Sequence, residues 1–220
     1  RRWGIGIVAP NASVVNRDHL LLPDGEGGCY IGYVRNTGQV GAYIQHLDSA
    51  GTPVLPWPGR RVFMRSSSTW SDLWMVRDSS HIFLTMTCEA TSGNERVYAQ
   101  KLDLALNRQW DSTGVAVTPD TADHRNARCV LDGYGGIVLL YRAYFSGTAT
   151  YMRMQRLDSL GTLQWGLGTL LHTTWPVGNF CRTELRVGAH NDYYACWDGG
   201  SNAFNTGVYL SRVDTAGTPL

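Results

Sequence analysis

The stretch Tyr98-Ala99-Gln100-Lys101-Leu102-Asp103 decides the fold, because the same phrase returns along the whole chain. Its closing Asp lies at 55, 55 and 56-residue intervals, at Asp48, Asp103, Asp158 and Asp214. A fixed period of this length is typical of proteins built from repeated supersecondary units. The 220 residues therefore form one domain, residues 1–220, of four repeats, which we place at 3–56, 57–109, 110–164 and 165–220.

The composition favours short strands over helices. Apolar residues make up 43% of the chain and supply a core, while 25 Gly and only 17% charged residues indicate many tight turns. A formal net charge of +1 excludes the strongly basic surface of a general nucleic-acid binder, so we expect no nucleic-acid partner. No apolar run approaches the ~18 residues that span a bilayer, so we expect no membrane insertion.

Each repeat divides into four strand-sized pieces. The first follows a Trp and is expected at 4–8, 59–64, 114–118 and 168–173. The second is expected at 19–23, 72–76, 127–131 and 183–187, and the third at 29–34, 81–87, 137–142 and 192–197. Gly-rich hairpins such as 24–28 and 132–136 join the second piece to the third, since Gly supplies the positive φ of tight turns. The fourth piece is the repeated phrase.

The phrase is apolar on both faces of its strand. Leu102 and Ala99 lie three positions apart and therefore on opposite faces, because side chains alternate with period two. A strand that is apolar on both faces is covered on both faces, which suits the packed blades of a β-propeller. We therefore predict an all-β propeller of four four-stranded blades. A Trp begins each repeat and is expected to wedge between blades, at Trp3, Trp57, Trp110 and Trp165.

Polar residues of the phrase also recur. Three positions before the Asp stand Gln45, Gln100 and Gln155, whose buried amides we expect to bond the backbone. Two positions before the Asp, every repeat has a basic residue, and we expect a solvated ring at one rim, made by His46, Lys101, Arg156 and Arg212.

Cysteine and histidine usage indicates no cofactor. The five Cys are odd in number and form no CxxC pair, so buried free thiols are expected, with a Cys181–Cys196 disulfide as the alternative. The His residues show no metal-ligand spacing, and the Gly-rich turns lack the Lys of a phosphate loop. We therefore expect neither a metal nor a nucleotide.

The turn that follows the phrase resembles the Asp-box turn of sialidase-like propellers, although Asp103 and Trp110 stand seven residues apart and the box is tighter. The whole phrase, with an Asp-Gly-x-Gly-Gly hairpin upstream, is similar to propeller repeats of secreted and surface proteins of bacteria, notably Bacteroidota. The resemblance covers the chain and implies a propeller outside the cell or on its surface. Such repeats serve adhesion, binding and scaffolding alike.

The loops at one face differ from repeat to repeat. Repeat proteins usually bind their partners at the face that carries such variable loops. Aromatic and polar side chains mix there, as suits sugar rings. The sequence thus predicts a non-catalytic module that binds a glycan or a protein. Its candidate ligand-binding residues are Trp70, Trp175, Tyr144, Phe145, Phe204 and Asn179.

Two alternatives differ in function. A glycosidase needs two carboxylates about 5–9.5 Å apart, and the candidates are Asp120, Asp123, Glu184 and Asp198, with Arg125, Arg128 and Arg182. A purely structural subunit would instead contact copies of itself as a homo-oligomer.

The two ends of the chain are complementary. The last repeat reaches Leu220 one strand short, and the first strand, residues 3–8, has no strand of its own repeat to pair with. We predict that 3–8 pairs beside 207–213, which would close the ring and remove an exposed sheet edge. The alternative is that these residues are a mature or partial chain, cut from a larger propeller.

Overall fold

The computed structural model describes residues 16–36, 39–67, 70–89, 93–120, 122–144, 150–174, 182–200 and 206–220. Within these ranges the chain forms fifteen β-strands in four antiparallel sheets and no helix, so the all-β prediction is confirmed. It follows that no described helix is available to cross a membrane.

The sheets follow one another in chain order. Sheet A contains β1 (Asn16–Pro23), β2 (Cys29–Arg35), β3 (Gly41–Leu47) and β4 (Arg60–Arg61). Sheet B contains β5 (Trp70–Arg77), β6 (His81–Glu89), β7 (Glu95–Asp103) and β8 (Val115–Ala116). Sheet C contains β9 (Asp123–Leu131), β10 (Ile137–Tyr144), β11 (Thr150–Leu157) and β12 (Thr169–Thr174). Sheet D contains β13 (Thr183–Val187), β14 (Tyr193–Gly200) and β15 (Thr206–Val213).

Each outer strand comes from the beginning of the next sequence repeat. In sheet A, for example, Tyr43 of β3 pairs with Arg61 of β4. Sheet D has no such strand among the described residues, and the expected partner, residues 3–8, lies outside them. Sheets A, B, C and D pack in series through their first strands, and the described sheets do not close into a ring.

The core lies between successive sheets. Three buried clusters fill the A–B, B–C and C–D spaces. Leu102 belongs to the A–B cluster and Ala99 to the B–C cluster, so the two faces of β7 are both covered, as the alternation in the phrase predicts.

The Gln of the phrase fixes the chain that follows it. Nε2 of Gln100 donates to the carbonyl oxygen of Asp111 at 2.7 Å, and its Oε1 accepts from the N–H of Trp110 at 3.3 Å. Gln155 makes the equivalent bonds to Gly166 and Trp165. The expected backbone bonding of these amides is therefore confirmed.

The Asp of the phrase closes the turn. Its Oδ1 accepts backbone N–H bonds from residues two and four positions later, at 2.9 Å each for Asp158. Asp48 and Asp214 make the same pair of bonds, and Asp103 accepts one from Asn107.

The basic residues of the phrase do not form a solvated ring, and that prediction is wrong. His46 contacts Asp24 at 2.9 Å and Arg156 contacts Asp132 at 3.0 Å, so each base pairs with the Asp of its own Gly-rich hairpin. Arg212 pairs with Asp192 in the same way. The buried Lys101 crosses to sheet C and donates to the carbonyl oxygens of Gly135 and Ser159. The hairpin lies beside the phrase strand, which brings the opposite charges together.

Trp110 and Trp165 lie between sheets. Trp110 is 8% exposed, packs 5.9 Å from Phe83, and donates from Nε1 to the carbonyl oxygen of Ser159 in sheet C. The turn of the next sheet makes room for each indole with a Gly at positive φ. A Cβ on Gly161 would lie 3.1 Å from Trp110, and one on Gly217 would lie 2.7 Å from Trp165.

Trp57 belongs to none of the three clusters that lie between successive sheets. The turn position that Gly161 occupies in sheet C is Leu106 in sheet B, at φ 67°, and this side chain is buried in the A–B core. Trp57 instead stacks on Tyr33 at 5.6 Å with the rings 4° from parallel. The residue at this turn position therefore decides whether the Trp that begins the same repeat packs between two sheets. Trp3, the first of the series, lies outside the described residues.

The four described cysteines are free. Burial raises the pKa of the Cys88 thiol to about 11 and that of Cys129 to about 12, so both are unreactive as thiolates near neutral pH. Cys181 lies outside the described residues.

Candidate functional site

Three innermost strands are interrupted at the same point. A register shift in β1, β5 and β9 coincides with a non-Gly residue of left-handed conformation: Asp18 at φ 48°, Asp72 at φ 54° and Asn126 at φ 57°. Such backbone costs about 1–3 kcal/mol per residue and concentrates at functional sites. The repeated bulge therefore points to the end of the sheets where these strands begin.

Hydrogen bonds between neighbouring strands hold the bulges. Oδ2 of Asp72 accepts the backbone N–H of Asn126 at 3.1 Å, which links β5 to β9. The hydroxyl of Thr183 donates to the carbonyl oxygen of Asn126 at 3.0 Å, which links β9 to β13. The Asp72 carboxylate is thus fixed in orientation at the junction of two sheets.

Glu95, the first residue of β7, lies near this junction between sheets B and C. Its Oε2 contacts Nε of Arg125 at 2.6 Å, and its backbone N–H donates to Oδ1 of Asp123 at 2.8 Å. Both partners belong to β9, so the start of sheet C positions the carboxyl group. Only 22% of the Glu95 side chain is exposed.

The surroundings of Glu95 favour its protonated form. Burial raises the pKa of this carboxyl above its usual range, against the opposing charge of Arg125. The negative charges of Asp123, Asp72 and Glu89 raise it further. A half-buried carboxyl with a raised pKa close to a second carboxyl group is the arrangement of a general acid with its partner.

The sequence-predicted carboxylates divide into two groups. Asp123 joins Glu95, but Asp120 instead contacts His124 at 2.9 Å. Glu184 is 58% exposed and pairs with Arg186 on sheet D, and Asp198 accepts the backbone N–H of Arg182.

The predicted arginines divide in the same way. Arg125 binds Glu95, whereas the guanidinium of Arg128 lies 4.5 Å over the ring of Trp74. Asp18, Asp72 and Glu95 are not among the sequence-predicted residues. Asp18, Asp72 and Asn126 nevertheless recur at a spacing of 54 residues, which is a sequence signal for the bulge positions.

The predicted ligand-binding aromatics differ in their surroundings. Tyr144 is half-buried at the end of β10 and pairs in register with Asp123, so it lies beside the Glu95 cluster. Trp70 is only 5% exposed, because it faces the A–B core, where it packs 6.2 Å from Phe63. Its Nε1 donates to the carbonyl oxygen of Ser67. Four candidates lie outside the described residues: Phe145, Trp175, Asn179 and Phe204.

In the described ranges, no group of three or more His, Cys, Asp or Glu side chains is arranged to hold a metal ion. The carboxylates of the site are engaged by protein donors instead. Asp72 and Asp123 accept backbone N–H bonds, and Glu95 binds a guanidinium.

Comparisons with solved structures support a β-propeller. The chain is similar to a thermostable family-43 glycoside hydrolase, at 13% identity and a TM-score of 0.55, over 96% of this chain and 73% of that one. It is similar to a protein of unknown function from Dyadobacter fermentans DSM 18053, at 11% identity and a TM-score of 0.54, over 92% and 62% of the chains. An endo-arabinase from Bacteroides thetaiotaomicron VPI-5482 matches at 15% identity over 92% and 74%, with a TM-score of 0.46. No protein-family model and no curated protein matches.

These comparisons correct one sequence-based prediction. The variable loops and their aromatics predict a non-catalytic binding module, whereas the reported neighbour of known activity with a TM-score above 0.5 is a family-43 glycoside hydrolase. The prediction also depended on loop aromatics being available to a ligand, and Trp70 is in the core.

Proposed function

We propose that the protein is a glycoside hydrolase that cleaves an oligosaccharide where the innermost strands begin. The observation that carries the proposal is the Glu95 carboxyl, whose pKa is raised beside the ionisable Asp72 at a strained bulge. The glycosidase among its neighbours of the same fold supports it. A secreted or cell-surface location, which the repeats predict, suits an enzyme that meets polymeric glycans outside the cell.

The two carboxyl groups take different roles in the reaction. Glu95 donates its proton to the glycosidic oxygen as the bond to the anomeric carbon breaks, and Arg125 stabilises the carboxylate that remains. Asp72 is the second carboxylate, which acts on a water molecule or on the anomeric carbon itself. Tyr144, beside the cluster, offers a ring face on which a sugar can stack.

The direct test is turnover. A panel of aryl glycosides and plant or bacterial oligosaccharides is incubated with the wild-type protein and with a double Asp72→Asn, Glu95→Gln variant prepared in the same way. We expect hydrolysis of at least one glycoside by the wild type and none above background by the double variant. Equal hydrolysis by both proteins would show that a contaminant is responsible, and an absence of hydrolysis across a broad panel would contradict the proposal.

We also infer that Trp3 packs against Gly51 and that residues 3–8 complete sheet D. Gly51 has a positive φ of 82° and occupies the turn position at which Gly161 and Gly217 contact the indole that begins their own repeat. Trp3 is the remaining Trp of the series, and it precedes sheet A in the repeat order. Four blades would then form a closed ring, with a larger propeller as the alternative.

Two variants test this closure. Deleting residues 1–8 should lower the melting temperature and promote association, because the edge of β15 and the seat at Gly51 would both be uncovered. Gly51→Leu and Gly161→Leu should both lower the melting temperature, because each side chain would exclude an indole. A truncated chain that stays monomeric with an unchanged melting temperature would contradict the closure.

A further inference from the structure

Five arginines lie along the seam between sheets A and B, and the described residues include no ion pair for any of them. They are half-buried, and they come from β4, the segment after it, the beginning of β7 and the turn that follows β7: Arg60, Arg61, Arg65, Arg96 and Arg108. We call this group the arginine seam.

Two members have structural bonds that hold the seam together. Nη2 of Arg61 donates to the carbonyl oxygen of Arg65 at 2.8 Å, which folds the segment after β4 back on itself. Arg108 reaches over from sheet B and donates to the carbonyl oxygens of Val62 and Arg61 at 2.8 and 2.5 Å. The side chains are therefore placed by the fold.

Positive charge is crowded in the seam. Burial lowers the pKa of Arg108, and the charges of Arg60 and Arg61 lower it further. The Nε atoms of Arg60, Arg61, Arg65 and Arg96 are buried without a hydrogen-bond partner. Buried N–H donors without a partner are unfavourable and like charges repel, so the seam gains stability from any anion that reaches it.

Donors remain available at the seam. The guanidinium of Arg60 has no hydrogen-bond partner among the described residues. Arg65 stacks 3.8 Å over the ring of Tyr98, donates from Nη2 to its hydroxyl, and lies beside the Cys88 thiol. Arg96 shares that face of sheet B with Tyr98. Such planar forks match a carboxylate or a sulfate group in a bidentate manner.

The seam is next to the proposed active site. Arg96 directly follows Glu95 in β7, and successive side chains of a strand point to opposite faces. Glu95 therefore faces β9 of sheet C, where Arg125 binds it, while Arg96 faces sheet A. An oligosaccharide laid across the beginning of β7 meets the acid on one side and Arg96, the nearest member of the arginine seam in the chain, on the other.

We propose that the arginine seam binds the oxyanion group of an acidic oligosaccharide, either a uronate carboxylate or a sulfate ester. This rests on the proposed function and deepens it, because it assigns the substrate to the acidic glycans. The anion neutralises the crowded guanidinium groups and places the neighbouring sugar over Glu95 and Asp72.

Calorimetric titration of the Glu95→Gln variant tests the proposal without turnover. Oligogalacturonate and a sulfated oligosaccharide are each compared with a neutral oligosaccharide of equal length. We expect tighter binding of one acidic ligand, with affinity reduced about tenfold by Arg60→Gln and by Arg65→Gln, as for loss of a charge-assisted bond. Raising salt from about 50 to about 200 mM should weaken acidic-ligand binding only.

Arg186→Gln is the matched control, because Arg186 is exposed on sheet D and pairs with Glu184 there. It should bind the acidic ligand as the parent does, and melting curves should show that all variants are folded. Equal affinity for the neutral ligand, or equal weakening by Arg186→Gln, would overturn the proposal. The binding assay uses no turnover, so failure of the seam and failure of the hydrolase proposal are separate outcomes.

Discussion

Glu95→Gln should lower kcat by about 10²–10⁴-fold on a natural oligosaccharide, the range that general acid catalysis contributes. Gln has nearly the same shape and can still accept from Nε of Arg125, so folding should be unaffected. The loss should be much smaller on a nitrophenyl glycoside, because that leaving group departs with little protonation. The difference between the two substrates is the measurement that identifies a proton donor.

The pH profile provides a second measurement. Because the pKa of Glu95 is raised, the group stays protonated to a higher pH than an ordinary Glu, and activity should be lost as pH rises through that raised pKa. This alkaline limb should be absent in Glu95→Gln. Folding stability should also decrease through the same window, since the unfolded chain ionises this carboxyl at lower cost.

Two further variants separate the roles. Asp72→Asn should reduce turnover of both kinds of substrate, because a better leaving group does not replace the second carboxylate. Glu184→Gln is the control, since the structure places this side chain on sheet D beside Arg186, away from the site. Loss of activity in Glu184→Gln equal to that in Glu95→Gln would mean that the carboxylates are assigned to the wrong junction.

The strands could be predicted because their information is local. Alternation in the phrase put Ala99 and Leu102 on opposite faces, and the structure packs them against sheets C and A respectively. The Gly-rich hairpins and the recurring Asp likewise act on residues within a few positions. Such short-range patterns repeat in every unit, so four copies reinforce one another.

The candidate site could not be predicted in the same way, because it depends on contacts between repeats. Glu95 begins a strand of sheet B, whereas the residues that position it, Arg125 and Asp123, belong to sheet C. Nothing in the residues around Glu95 distinguishes it from Glu89 or Glu184. The bulge at Asp72 left one trace in the sequence, the recurrence of Asp18, Asp72 and Asn126 every 54 residues, but that recurrence alone does not indicate left-handed backbone.

One departure from the repeat pattern, at Leu106, changes the position of a second residue, Trp57. Leu106 replaces the Gly of the turn, fills the A–B space itself, and leaves Trp57 on the other face of sheet A beside Tyr33. The recurrence of Trp alone predicted four equivalent wedges. The recurrence of Trp therefore predicts a wedge between sheets only when Gly stands three positions after the Asp that closes the phrase of the same repeat.

That difference gives the stability prediction with the largest expected effect. Trp110→Ala should lower the free energy of unfolding by about 3–5 kcal/mol, since it removes a ring that is 8% exposed between two sheets. The sheets are held by Gln100 and by the Asp turns, so they cannot collapse into the cavity. The Nε1 bond to Ser159 is lost as well. Denaturant unfolding monitored by circular dichroism measures the change.

Trp57→Ala is the matched control. This ring is half-buried and stacks on Tyr33 outside the three clusters, so its loss should cost an aromatic-pair contribution of about 0.5–1.5 kcal/mol plus a burial contribution smaller than that of Trp110. Trp70, which the sequence analysis places among the ligand-binding candidates, lies instead in the A–B core, and its replacement by Ala should cost close to that of Trp110. Equal midpoints for Trp110→Ala and Trp57→Ala would contradict the assignment of Trp110 as a wedge, because only one of the two rings lies between sheets.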